Sequence, residues 1–218
     1  MTLLASTLRK MDVLVTADGR SISRRNGVVV GIHDQTQKIF PVQDQPIVIA
    51  HHGQNHFWGH PIGRIVKDFA ADLIPGLSIT AILDRLREAL HAEVRDTLTK
   101  LPPDTAAGCW IVGFGRGEDE PEHAEVFWKV EGEQLVCREN HWRPTSIMLA
   151  GSGSKGLRTE WAKVVDASVA TVQATHERLF EAALQADVHP NTVGGHIHEL
   201  LILPHGWQWT RPPASAGE

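Results

Sequence analysis

Apolar residues come in short runs at the start of the chain, with a spacing that predicts strands. Leu3 to Leu8 and Val13 to Ala17 are rich in aliphatic side chains and flank the polar Arg9-Lys10-Met11-Asp12, the pattern of a strand, a turn and a strand. A polar stretch, Asp18 to Asn26, then reads as a loop. Val28 to Ile32, Lys38 to Val42 and Pro46 to His51 predict three more strands, with Gln43-Asp44-Gln45 as the turn between the last two. From Asn55 to Leu73 the pattern turns helical. After Pro75-Gly76, the residues Ile79, Ile82, Leu83, Leu86, Leu90, Val94, Leu98 and Leu101 step by three or four, so Ser78 to Leu101 predicts a helix. Ser78 suits its N-cap and Pro102 its stop. Strands return at Ala107 to Phe114, Ala124 to Val130, Leu135 to Arg138 and Ile147 to Ala150, with Gly115 to Glu122 as a loop. A second helical stripe within Thr159 to Ala186 is drawn by Val169, Val172, His176, Leu179, Phe180, Ala183 and Leu184, and strands at His196 to Leu203 and Trp207 to Thr210 close the chain. Grouped strands separated by grouped helices predict an α+β arrangement, two antiparallel sheets face to face with helices outside. No repeat or linker interrupts residues 1–211, which read as a single domain, and 212–218 reads as a flexible tail.

Composition narrows the function classes. Lys and Arg number 21 against 26 Asp and Glu, a net charge of −5, which argues against a general nucleic-acid binder. No apolar run approaches the roughly 18 to 20 uncharged residues that cross a bilayer, so no membrane partner is expected. Arg9 and Lys10 follow the first apolar residues instead of preceding them, the reverse of a signal peptide, and a cytoplasmic location is the expectation. Cys109 and Cys137 each sit in a strand-like apolar run, which suits buried thiols in a reducing compartment.

Thr2 is the first candidate for chemistry. Methionine before a small residue is a good substrate for methionine aminopeptidase, and the chain would then begin with a threonine carrying a hydroxyl and a free α-amine. Such an amine has a pKa of ~7.7–8.0, low enough to serve as base for the hydroxyl at neutral pH. Asp18 follows sixteen residues later, Lys38 opens Lys38-Ile39-Phe40-Pro41-Val42, and Gly151-Ser152-Gly153-Ser154 follows a predicted strand. This set resembles the proteasome β-subunit family of N-terminal nucleophile (Ntn) hydrolases, and the resemblance runs from Thr2 to about Trp207.

The resemblance implies a four-layer αββα sandwich of two antiparallel sheets flanked by helices. It implies Thr2 as nucleophile, Lys38 as the cation that lowers the proton affinity of the Thr2 hydroxyl and amine, Asp18 as the group that orients Lys38, and Ser152 as a proton relay. Gly53, reached through His51-His52, would give its backbone N–H to the oxyanion, with His52 beside it in the substrate pocket. A threonine-type peptidase or amidohydrolase follows, with a peptide or other amide substrate, no cofactor, and assembly into a homo-oligomeric ring, for which Trp58, Phe69 and Phe180 are candidate contacts. The alternative is a catalytically silent proteasome-like chain that acts as an assembly or binding subunit. Two departures bear on this: about four more residues between Asp18 and Lys38 than the family has, and Pro190-Asn191-Thr192-Val193-Gly194-Gly195 where proteolytic members place an aspartate and a serine.

Other motifs carry less. His52, His56 and His60 would share one face of a helix at i, i+4, i+8, a spacing able to chelate zinc, but no Asp or Glu lies among them and no metal is expected in 51–60. His196 and His198 alternate as structural histidines of a strand would. Gly113-Phe114-Gly115-Arg116-Gly117 leads into acids instead of a helix and reads as a hairpin loop, not a phosphate loop. Arg20, Arg24 and Arg25 read as a solvated turn.

Overall fold

The computed structural model describes residues 3–25, 28–54, 56–57, 60–98, 105–131, 134–142, 147–150, 167–185 and 193–214. Strands β1 (Leu4–Leu8) and β2 (Val13–Ala17) open it, followed by β3 (Ser21–Arg25), β4 (Val28–His33), β5 (Ile39–Pro41) and β6 (Ile47–Gly53). The two-residue strands β7 (His56–Phe57) and β8 (His60–Pro61) lead into helices α1 (Ile62–Ala71) and α2 (Ile79–Leu98). Then come β9 (Ala106–Gly113), β10 (Glu122–Glu131), β11 (Gln134–Trp142), β12 (Ile147–Ala150), helix α3 (Val169–Gln185) and the closing pair β13 (His198–Leu203) and β14 (Gly206–Arg211).

The strands form two five-stranded antiparallel sheets, β12-β1-β2-β13-β14 and β11-β10-β9-β6-β5, with β3-β4 and β7-β8 as separate pairs. The opening hairpin holds Ser6 opposite Val15, and its turn is closed by Arg9, whose N–H meets the Asp12 carbonyl while its guanidinium grips the Asp12 carboxylate at 2.6 and 2.7 Å. Alternation along β1 then sends side chains to opposite faces. Leu4 and Leu8 join Val15, Val48, Trp110, Val112 and Leu200 in a cluster drawn from both sheets, while Leu3 and Ala5 pack against Phe180 and Ala183 of α3. On the far face of the second sheet, Ile49, Ile111 and Val126 meet Ile62 and Val66 of α1 and Leu83 and Leu86 of α2. The α2 stripe from Ile79 to Val94 is fully buried, and the Ser78 hydroxyl accepts the Ala81 N–H at 3.2 Å, the cap expected from the sequence.

Three expectations are corrected. Residues 21–25 form β3, because β4 supplies a partner in register, Ile22 opposite Ile32. The helix expected from Asn55 begins only at Ile62, since Pro61 is extended (φ −62°, ψ 129°) and the residue before a proline avoids the helical region. His52, His56 and His60 therefore stand on three different strands, and the helical face that would have aligned them does not form. Phe180 is buried beneath α3 and Phe69 is half-buried against the α1 core, while Trp58 lies outside the described residues. Both cysteines are free, with Cys109 fully buried and its thiol pKa pushed up by that burial. Among the described residues no helix is long and apolar enough to cross a membrane.

Under α3 lies a buried polar row. His176 touches Thr7 Oγ1 through Nε2 at 2.8 Å and Thr16 Oγ1 through Nδ1 at 2.7 Å. The Thr16 hydroxyl donates to Glu199 Oε2 at 3.0 Å, and Gln173 and Thr210 both donate to Glu199 Oε1 at 2.7 Å.

Candidate active site

Asp18 follows the last residue of β2 and is fully buried. One carboxylate oxygen, Oδ1, accepts the Leu3 N–H at 2.8 Å and the Lys38 ammonium at 2.7 Å, while Oδ2 accepts the Gly194 N–H at 3.1 Å. The Leu3 carbonyl in turn accepts the Asp18 N–H at 3.1 Å, so the start of β1 is bound to this residue in both directions.

Lys38 enters immediately before β5, and its side chain is also fully buried. Its Nζ donates to the Arg20 carbonyl at 2.7 Å in addition to Asp18, its own N–H donates to His198 Nε2 at 3.1 Å, and its carbonyl accepts the His51 N–H at 3.1 Å. Burial draws the Lys38 pKa below the usual lysine range, opposed by the charge and hydrogen bond of Asp18. His198 is held neutral, near 3, first by burial and then by the Lys38 charge, so its Nε2 is free to accept.

Gly53 ends β6 at φ +84°, and a Cβ there would lie 2.2 Å from the Ala106 carbonyl oxygen, so only glycine fits. The direction of its N–H follows from its neighbours. His51 sends its N–H to Lys38 on the β5 side and Gln54 sends its own to Ala106 on the β9 side. Alternation along the strand therefore turns the Gly53 N–H toward the side of Lys38. His52, one residue earlier, points between the sheets. Its Nε2 lies 2.9 Å from Glu125 Oε1, its ring stacks on Phe127, and Gly108 leaves the space the ring fills. Burial alone would raise the Glu125 pKa, but hydrogen bonds from His52, Asn140 and Trp110 hold it down to about 2.

On the opposite face of β6, His51 is buried beside α1, its ring stacked on Phe40 with centroids 6.0 Å apart, and neither ring nitrogen has a hydrogen-bond partner. Burial first, then the Lys38 charge, lower its pKa to about 3. The Gln37 carbonyl lies close enough to oppose that shift without a hydrogen bond of acceptable geometry. His51 borders a cleft of about 920 Å³ between residues 32–37 and α1.

Asp18 and Lys38 thus come together from separate stretches of chain, and the Gly53 N–H turns to the same side of β6 as Lys38. Thr2 and the Gly151-Ser152-Gly153-Ser154 turn lie outside the described residues, as do Asn191 and Thr192. The sequence gives no ligand-facing role to His51 and none at all to Glu125, and His198 reads only as a structural histidine. The strand alternation that places His198 inward was visible, but not that Lys38 would be its partner. Glu125 lies in an otherwise apolar strand and gave no signal. His196 bonds the Pro212 carbonyl at 2.7 Å, but β13 begins only at His198, so His196 is exposed outside the strand while His198 is buried, and the two do not share a strand face; Gly113–Gly117 lies in the connection between antiparallel strands β9 and β10, as expected. Among the described residues no group of three or more His, Cys, Asp or Glu is placed to hold a metal ion.

No protein-family model and no curated protein matches the sequence. Solved structures do match the fold, among them a mutant of Anbu from Hyphomicrobium sp. strain MC1, with a TM-score of 0.61 over 99% of this chain and 88% of that one at 13% sequence identity. At that identity the likeness is one of fold.

Proposed function

We propose that the chain is a proteasome-like Ntn hydrolase that cleaves peptide or other amide bonds in the cytoplasm, with Thr2 as nucleophile once Met1 is removed. The reading takes residues 1–211 as one αββα sandwich with 212–218 as its tail. The fold likeness to Anbu, a bacterial proteasome-like protein, supports it. The observation that carries it is the buried Lys38–Asp18 pair bound to the backbone of Leu3, the residue after Thr2.

In this mechanism the Thr2 hydroxyl attacks the substrate carbonyl and its proton passes to the Thr2 α-amine, by way of Ser152. The Lys38 ammonium favours the less protonated forms of both groups, and Asp18 keeps that ammonium charged and in place. The Gly53 N–H donates to the oxyanion that forms, and His52, anchored on Glu125, fixes the strand that carries it. Collapse of the intermediate expels the amine, which leaves with the shuttled proton, and water then hydrolyses the acyl ester to regenerate Thr2. No cofactor enters these steps. The exposed Val28, Val30 and Ile32 of β4 are apolar surface of the kind that assembly into a homo-oligomeric ring would cover.

Intact mass spectrometry of the chain expressed without an N-terminal tag, before and after treatment with an epoxyketone or β-lactone, tests the reading. Loss of Met1 and a covalent adduct on Thr2 that Thr2→Ala abolishes are expected. Retained Met1, or an adduct that survives in Thr2→Ala, overturns the assignment in favour of a silent assembly subunit.

A further inference from the structure

Arg20 reaches the Asp18–Lys38 pair from both ends. Its carbonyl accepts the Lys38 ammonium, and its side chain turns toward residues 193–196. There the guanidinium lies against Gly194: a Cβ on that residue would stand 2.8 Å from Arg20 Cζ and 2.9 Å from Nη1, so only glycine leaves room for it. The same Gly194 supplies the N–H that binds Asp18 Oδ2 at 3.1 Å. Whatever holds the guanidinium on Gly194 therefore also holds a donor on the buried carboxylate.

The bond from Nη1 to the Val193 carbonyl is long, 3.5 Å, and fixes little. Short bonds run to Asp34. Its carboxylate accepts from Nε at 2.5 Å and from Nη2 at 2.9 Å, the paired contact in which a planar fork sets orientation as well as distance. The backbone around Asp34 is anchored to both segments that the guanidinium joins: the Asp34 carbonyl accepts the His196 N–H at 2.8 Å, and the Thr36 N–H donates to the Gly19 carbonyl at 2.8 Å. The Asp34 side chain is 47% exposed, and an ion pair so open to water adds little to stability. Its effect lies in where it places the guanidinium.

We propose that Asp34 is a positioning residue: by holding the Arg20 guanidinium over Gly194 it fixes the Gly194 N–H on Asp18, and with it the carboxylate that orients Lys38. Its part in catalysis rests on the hydrolase reading above, whereas the seat on Gly194 rests on the contacts of Arg20, Asp34 and Gly194.

The test compares the full-length chain with Asp34→Ala, Asp34→Glu and Arg20→Lys. Asp34→Ala removes the carboxylate and keeps the backbone bonds of residues 34–36. Hydrogen exchange followed by NMR is expected to show the Gly194 amide opening roughly tenfold faster or more in Asp34→Ala and in Arg20→Lys, which lacks the planar fork, with the amides of α2 unchanged. The thermal midpoint of Asp34→Ala is expected to fall by less than about 4 °C. Epoxyketone labelling of Thr2 is expected to slow by roughly tenfold or more in the same two variants and to recover in Asp34→Glu, which keeps a carboxylate for the fork. A loss of rate without a matching loss of stability is what a merely structural pair does not produce. Parental exchange at Gly194 in Asp34→Ala, parental labelling in Asp34→Ala, or slow labelling that Asp34→Glu leaves uncorrected overturns the proposal. A parent chain that no epoxyketone labels removes the hydrolase and the catalytic part of Asp34 with it, while faster Gly194 exchange in Asp34→Ala would leave the seat standing.

Discussion

At residue scale, Asp18 is bound through two oxygens to three partners: the Lys38 ammonium, the Leu3 N–H and the Gly194 N–H. Only the first is an ion, and removing the Asp18 charge leaves that ion buried. Asp18→Asn is therefore expected to cost about 3–5 kcal/mol, read from urea denaturation, since a broken buried pair loses far more than a surface pair. Lys38→Met alone should cost a comparable amount, and Asp18→Asn with Lys38→Met clearly less than the two single losses added, because no lone charge remains. Additive losses would show that the two side chains do not interact. The sequence made Asp18 and Lys38 legible as a pair only through their resemblance to a known arrangement. Nothing in composition or periodicity places a buried lysine beside an aspartate twenty positions away. His198 and His51 were less legible still, because the hydrogen bonds that attach them to Lys38 run through the Lys38 backbone, which carries no sequence signal.

At the scale of elements, the long periodic segments were readable and the short ones were not. The α2 stripe buries every one of its apolar steps from Ile79 to Val94, and strands β1, β2 and β9 lie within a residue of where their aliphatic runs put them. By contrast β3 owes its conformation to β4 across the hairpin, and β7 and β8 span two residues each, too few for any period to register. The Ser78 cap is a local signal that held: Ser78→Ala should lower stability by about 1 kcal/mol, and hydrogen exchange should show faster opening at the first turn of α2 with the rest unchanged. A uniform rise in exchange along the helix would show that the hydroxyl acts elsewhere than at the cap.

For the molecule as a whole, acid is the sensitive variable. Burial lowers four histidines, His51, His123, His176 and His198, to about 3, whereas in the unfolded chain a histidine titrates near 6.5. Between those values the unfolded chain binds protons the folded one refuses, so stability is greatest above about pH 6.5 and falls as pH drops. Each histidine contributes a slope of about 1.4 kcal/mol per pH unit once the pH is well below 6.5. Against a total stability of about 5–15 kcal/mol, four such slopes acting together should unfold the chain near about pH 5. Tryptophan fluorescence in urea between about pH 7.5 and about pH 4.5 is expected to show midpoints that fall steeply below 6.5, and a flat profile would mean these rings ionise inside the fold. The polar row under α3 adds something that stability does not measure. Glu199 has no hydrogen to give, so the Thr16 hydrogen must point at it, and Thr16 must then receive from His176 Nδ1. That leaves Nε2 bare, and the Thr7 hydroxyl turns its hydrogen onto it. Three groups that can each give or take a hydrogen, Thr7, His176 and Thr16, are thus aligned in one sense, with the carboxylate as the sink that selects it. An amide at position 199 would keep the shape, but with Gln173 and Thr210 holding its oxygen its nitrogen would face Thr16, and the row would run in the opposite sense.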